Sequence, residues 1–179
     1  VVTRLNGSQS LQSISGSSKT SGHWFILRPS FSQQIVIHTN WIATVRADGQ
    51  WASEPLISNE QFGLGGVNSV RGYSEGEVFG DTGWRLSMEQ QTPSHLIGMV
   101  NGSVPLTVRA SVYMDLGTVY LLDPQGRPNH TTLWGTGVGL AASLGSHWQT
   151  RFLFSLPLKE TTLTSIYAPR FNFILTAQF

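Results

Sequence analysis

A chain of 179 residues with 11 Lys/Arg, 10 Asp/Glu and a formal charge of +1 is long enough for one cored domain. It carries no basic stripe, which excludes nucleic acid as a partner. The absence of cysteine excludes a disulfide framework and a thiolate metal site. No apolar run approaches the ~20 residues of a membrane helix, and no signal peptide is recognisable, as expected equally of a mature chain whose leader has been removed and of a trimmed one.

Nothing in the chain reads as a helix, whereas period-two alternation recurs throughout. Val1–Leu11 is a weak strand, followed by a polar Ser/Gly stretch from Gly7 to Gly22. Trp24 to Ile35 sets Phe25, Leu27 and Phe31 against Arg28 and Ser30, with Pro29 removing one ladder donor. Trp41 to Trp51 alternates cleanly, its apolar residues opposing Thr44, Arg46, Asp48 and Gln50. Gln61 to Asp81 does not alternate. It holds six glycines, and with Phe62, Leu64, Val67, Val70 and Tyr73 it reads as a long shaped loop that packs against something, with Arg71 at its tip. Beyond it Trp84, Leu86 and Met88 oppose Arg85, Ser87 and Glu89. Val108 to Gly117 alternates with Arg109, Tyr113 and Asp115 on its polar side. Trp134 to Leu144 faces Gly135, Gly137, Gly139, Ala141 and Ser143. Trp148 to Leu156 follows a tight Gly145-Ser146 turn, and Phe171 to Phe179 ends the chain. The expected count is eight strands.

Arginine recurs on the polar face (Arg28, Arg46, Arg85, Arg109, Arg151, Arg170) and lysine is nearly absent, which suits an interior of hydrogen-bonded pairs. Aromatic residues at strand ends on the apolar face (Trp41, Trp51, Trp84, Trp134, Trp148, Phe179) suit an interfacial girdle. Both point to an antiparallel transmembrane β-barrel with the Gly-rich loop folded toward the lumen. A soluble β-sandwich binding module is the alternative from another class.

The run Gly65-Gly66-Val67-Asn68-Ser69-Val70-Arg71-Gly72-Tyr73 resembles the loop signature of outer-membrane barrels that insert or export polypeptides. The wider pattern takes in Ser58, Glu60, Gln61, Phe62, Glu75, Gly76, Gly80, Asp81 and Gly83. It is most like two-partner-secretion transporters of the haemolysin secretion/activation and adhesin type. Ser87-Met88-Glu89 before Thr92-Pro93, and Val112 to Gly117, resemble two later segments of that family, so the likeness covers roughly Trp41 to Phe179. It implies one barrel domain over residues 1–179, equivalent to the C-terminal half of the larger family barrel, in the bacterial outer membrane. It also implies that Arg71 locks onto an acid of the inner wall, matched by Asp115 with Glu89 nearby. Gly65, Gly66 and Asp81 would shape the loop, Gly72 would turn its tip, and Tyr73 would pack on the wall. Phe171, Phe173 and the terminal Phe179 resemble the signal read by the barrel-assembly machinery during insertion.

No catalytic constellation is present, so no enzyme activity, cofactor or metal is expected. The five histidines (His23, His38, His95, His130, His147) share no ligand spacing. Gly137-Val138-Gly139-Leu140-Ala141-Ala142, with Glu160 further on, matches a loose dinucleotide pattern. A true fingerprint needs a crossover helix, and Gly145 breaks the chain first. A barrel of ~8 strands is filled by its own side chains and too narrow for polypeptide export. The leading expectation is therefore a short, self-contained barrel serving as membrane anchor or assembly element, in contact with outer-membrane lipid and paired as a homodimer through strand edges. The alternative is a C-terminal fragment of a transporter exporting a haemolysin- or adhesin-like polypeptide partner. Even strand numbers put the long connections outside, leaving Thr92–Val104 as an over-long periplasmic turn.

Overall fold

The computed structural model describes residues 23–178. The strand expected over Val1–Leu11, the Ser/Gly stretch after it and Phe179 lie outside the described residues. Strands β1 (Ile26–Leu27) and β2 (Ser30–Ile37) both run along β3 (Trp41–Ala52), as one row interrupted at Arg28–Pro29. Pro29 has no N–H to give the ladder, but its carbonyl still accepts the Gly49 N–H at 3.0 Å. Within the long loop, β4 (Phe62–Leu64) and β5 (Val78–Gly80) pair as a short ribbon. Three residues are too few to show alternation, which is why the sequence reads there as loop alone.

Strands β6 (Thr82–Gln91) and β7 (His95–Val100) both pair with β8 (Val104–Tyr120), again as one interrupted row. The expectation of a long Thr92–Val104 turn is thereby corrected. Pro93 interrupts the ladder without ending the row, and Leu96/Gly98 carries a bulge. The reversal itself needs only Asn101–Ser103, with φ of 50° at Asn101 and 70° at Gly102, and Ser103 N–H donating to the Val100 carbonyl at 3.3 Å. Asn-Gly with both residues left-handed gives the primed turn whose twist matches a hairpin.

β9 (His130–Leu144), β10 (Trp148–Pro157) and β11 (Arg170–Ala177) complete an antiparallel meander. Its nine strands form seven rows, in the order β1/β2, β3, β6/β7, β8, β9, β10, β11. Long connections (53–81, 121–129, 158–169) gather at one end and tight reversals (38–40, 101–103, 145–147) at the other. Among the described residues β2 and β11 are not paired with each other, so the sheet is open; the eighth expected strand is Val1–Leu11, outside the described residues.

The two faces are inverted relative to a soluble protein. Phe31, Trp41, Trp51, Trp84, Met114, Trp134, Val138, Phe152 and Phe173 are each 40–60% exposed, while Gln50, Glu89, Asp115, Thr118 and Ser155 are buried. A sandwich would cover that apolar face with a second sheet; here the second layer is the β4–β5 ribbon, and the loop carrying it lies on the polar side. The compact core sits between loop and wall: Leu64, Val70 and Tyr73 from the loop against Val119 and Leu133. That packing holds the loop down.

Candidate functional site

The loop reaches the wall because its backbone can take conformations closed to most residues. Gly65 and Gly66 sit at φ of 103° and 104° and Gly72 at 101°. A Cβ at Gly72 would also press on the backbone of Leu156 and Pro157, at 3.1 and 3.0 Å. On the receiving side Gly135 of β9 leaves space that the Arg71 carbonyl fills; any side chain there would collide with it. Gly135 is thus the seat of the loop, while Gly137 makes room for Tyr113 beneath it; the helix that a nucleotide fingerprint requires after these glycines is absent, since β9 continues to Leu144.

Arg71 is 5% exposed, and the acids it meets are buried with it, Asp115 at 0% and Glu89 at 6%. Its Nε donates to Asp115 Oδ2 at 2.6 Å and its Nη2 to Oδ1 at 2.8 Å, a bidentate fork, while the Arg71 backbone N–H adds a third bond to Oδ2 at 3.0 Å. Nη1 donates to Glu89 Oε2 at 2.8 Å, and Nη2 also reaches Ser87 Oγ at 3.2 Å. Register explains the convergence. Ser87 pairs with Asp115 and Glu89 with Tyr113 across β6 and β8, so all four side chains leave the same face within two rungs. Tyr113 forms the floor: the Arg71 guanidinium carbon lies 3.4 Å from its ring centroid, a cation–π contact between two buried side chains. Its hydroxyl is fixed by Ser155 Oγ at 2.6 Å. From sequence Ser87 and Tyr113 stand only in family-like segments on the polar side of their strands, with no part in the expected lock.

Two further contacts hold the loop at its rim. The Tyr73 hydroxyl lies 2.9 Å from the Trp134 carbonyl and 2.8 Å from that of Lys159, and it accepts the N–H of both residues at 3.2 Å. It occupies the gap where the β9–β10 ladder runs out, beyond the Pro157–Gly135 pair. The Glu77 carboxylate accepts the Ser74 N–H at 3.0 Å and bonds the Thr161 hydroxyl. Burial raises this carboxyl, but hydrogen bonds from Thr161, Thr164 and Ser74 outweigh it and leave it below its ordinary value. Arg170 adds a bond from Nη2 to Ser74 Oγ at 2.9 Å. Asp81, at the base of the loop, accepts N–H from Leu56 (2.9 Å) and Leu122 (2.8 Å) and the Gln61 amide (3.1 Å). It thereby ties the 121–129 connection to the 53–81 connection that carries the loop.

Other arginines of the polar face are placed unequally. Arg85 pairs with Asp48 at 2.6 Å and Arg28 with Glu60 at 3.0 Å. Phe171 and Phe173 project from the apolar face of β11, their rings tilted against those of Phe154 and Phe152 at centroid distances of 4.9 and 5.0 Å. Among the described residues no group of three or more His, Asp or Glu side chains is placed to hold a metal ion.

A family model described as haemolysin secretion/activation protein ShlB/FhaC/HecB matches residues 3–142. The match begins well before Trp41, where the motif likeness starts, and stops short of β10. Two relatives described as outer membrane transporter CdiB, one from Escherichia coli O6:K15:H31 (strain 536 / UPEC) and one from Escherichia coli, are 32% and 31% identical over 129 residues. Each match covers 72% of this chain and 20% of the relative, so the chain spans about a fifth of their length. The solved structure of CdiB from Escherichia coli is similar at a TM-score of 0.69 and 25% identity, over 87% of this chain and 28% of that one. The span of the family match includes the whole Gly-rich loop, Glu89 and Asp115, and this chain belongs to the ShlB/FhaC/HecB family of haemolysin secretion/activation proteins.

Proposed function

We propose that this chain forms part of the barrel wall of an outer-membrane transporter that moves a partner polypeptide, with the Arg71 loop locked across the inside of that wall. The observation that carries the reading is the inverted sheet with its loop on the polar face. Thirty Å of hydrocarbon needs an apolar exterior, and the exposed aromatic and aliphatic side chains of β2, β3, β6 to β11 supply it. The chain is an outer-membrane protein on that ground and by family. Its tight reversals then face the periplasm and its long connections the exterior.

Lipid-exposed sheet edges do not occur in a bilayer, because unpaired backbone groups cost several kcal/mol each there. The free edges at β2 and β11 therefore pair with further strands, and a barrel wider than the seven rows described leaves a lumen in which a loop can sit. The guanidinium lock gives that loop one fixed position in the path, so holding or releasing it sets the width of the passage. The relatives are transporters rather than enzymes, and the buried charges here are spent on one another rather than presented to a substrate.

Planar-bilayer conductance, with mass and oligomeric state measured on the same sample, tests the reading. A steady pore, widened when Arg71 is replaced, is expected. A monomer that inserts without conducting would overturn it and favour the self-contained anchor.

A further inference from the structure

Below the lock, toward the tight reversals, the polar face opens into a cavity of about 380 Å³ lined by Gln91, Arg109, Gly139, Ala141, Gln149 and Arg151 among others. Its layout follows from register. Arg109 of β8 pairs with Ala141 of β9, and Ala141 pairs with Arg151 of β10, so the two arginines stand on one rung with a methyl group between them. Two strand spacings set their Cα atoms about 10 Å apart, on the same face. Gly139, one step along β9 on that face, makes room for Ser111 and Leu153 at the cavity's edge.

The two guanidiniums are under-used. Arg109 Nη1 donates to Gln91 Oε1 at 3.2 Å, a neutral acceptor. Arg151 has its acid, Glu89 Oε1, at 3.8 Å, beyond hydrogen-bond reach. Each guanidinium offers five N–H donors in a planar fork. Glu89 also faces this space, but its Oε2 is taken by Arg71 and its Oε1 by the Gln91 amide. Three guanidiniums (Arg71, Arg109, Arg151) meet two carboxylates (Glu89, Asp115) in this region, leaving a positive charge without a counter-charge. Contrast Arg71, whose donors are matched in detail by two acids.

We propose that Arg109 and Arg151, flanking Ala141, form a clamp for the carboxylates of an acidic polypeptide segment on the lumen side of the wall. This rests on the transport reading, in which a polypeptide passes this face. A Glu or Asp side chain laid over Ala141 would receive a fork from either side, and the cavity has room for it with several waters. The clamp is open rather than buried, so its bonds exchange with water and a chain can be held and passed on. A lysine-rich segment would gain nothing from it.

The test uses the full chain purified in detergent and dye-labelled hexaglutamate, read by anisotropy, with labelled hexalysine beside it. Arg109→Gln and Arg151→Gln should each weaken hexaglutamate binding about tenfold or more, equivalent to about 1.4 kcal/mol, and leave hexalysine unchanged. Ala141→Leu keeps both charges but fills the floor, and should weaken binding as much; heat-dependent gel mobility checks that each variant is folded. Arg127→Gln removes the same charge from an external connection and should change nothing. Equal weakening by Arg127→Gln, unaltered binding in Ala141→Leu, or no hexaglutamate binding by the parent chain would each overturn the clamp. A closed, non-conducting barrel that still binds hexaglutamate at these residues would instead defeat the transport reading alone.

Discussion

Replacing Arg71 with alanine removes the two side-chain bonds to Asp115, the bond to Glu89, the bond to Ser87 and the cation–π contact with Tyr113. What remains for Asp115 is the Ser87 hydroxyl at 2.7 Å and the backbone N–H at position 71. Two enclosed carboxylates then lose the cation they share, Glu89 keeping only Arg151 at 3.8 Å, and stripping a buried charge of its partner typically costs about 3–5 kcal/mol. For a chain of this size, 3–5 kcal/mol corresponds to a fall in melting temperature of about 6–20 °C. The assay is thermal unfolding in detergent, followed by tryptophan fluorescence and by heat-dependent gel mobility. A cycle with Asp115→Ala separates pairing from packing: the double variant should lose less than the sum of the singles, since the second change removes a charge already stranded. A melting temperature within about 2 °C of the parent for Arg71→Ala would refute the lock as a stabilising contact.

Gly135→Val should undock the loop without touching a charge, since its side chain would occupy the space of the Arg71 carbonyl; protease cleavage between residues 66 and 77 should appear in the variant and not in the parent. Tyr73→Phe leaves backbone groups of Trp134 and Lys159 unmatched and should cost about 1–3 kcal/mol in the same melting assay. The docked Glu77 carboxyl lies below its ordinary 4.5, so its contribution to docking is complete above that value. It fades as pH falls through the lower, docked value. Acidification should therefore loosen the rim contact with Thr161, and Glu77→Gln should abolish that pH step in protease susceptibility.

Much of the wall was legible because a barrel strand repeats every two residues. Trp41 to Trp51 and Trp134 to Leu144 show the inward and outward sets that the structure reproduces. The fold class itself rests on where those faces point: the arginine and aromatic pattern of the sequence points to lipid, and the exposed apolar face of the structure agrees. The Asn101–Gly102 reversal was also legible, since Asn-Gly between apolar runs is a strong hairpin signal, but Pro93 drew attention to a break that the ladder bridges. The acids facing Arg71 stood out because they share a face with one another. The floor and rim of the site did not. Tyr113 looks from sequence like any polar-side aromatic, and its role depends on the guanidinium brought over it by a loop 42 residues earlier in the chain. Glu77 and Thr161 are 84 residues apart, both in irregular segments, and no periodicity links them.

Hydrogen–deuterium exchange on the chain in detergent tests the central claim most directly, because the Arg71 amide is itself bonded to Asp115. The account predicts that amides across residues 66–77 exchange as slowly as those of β8 and β9, far more slowly than those of the external connection 121–129. Exchange across residues 66–77 as fast as in that connection would place the loop in solvent and contradict it.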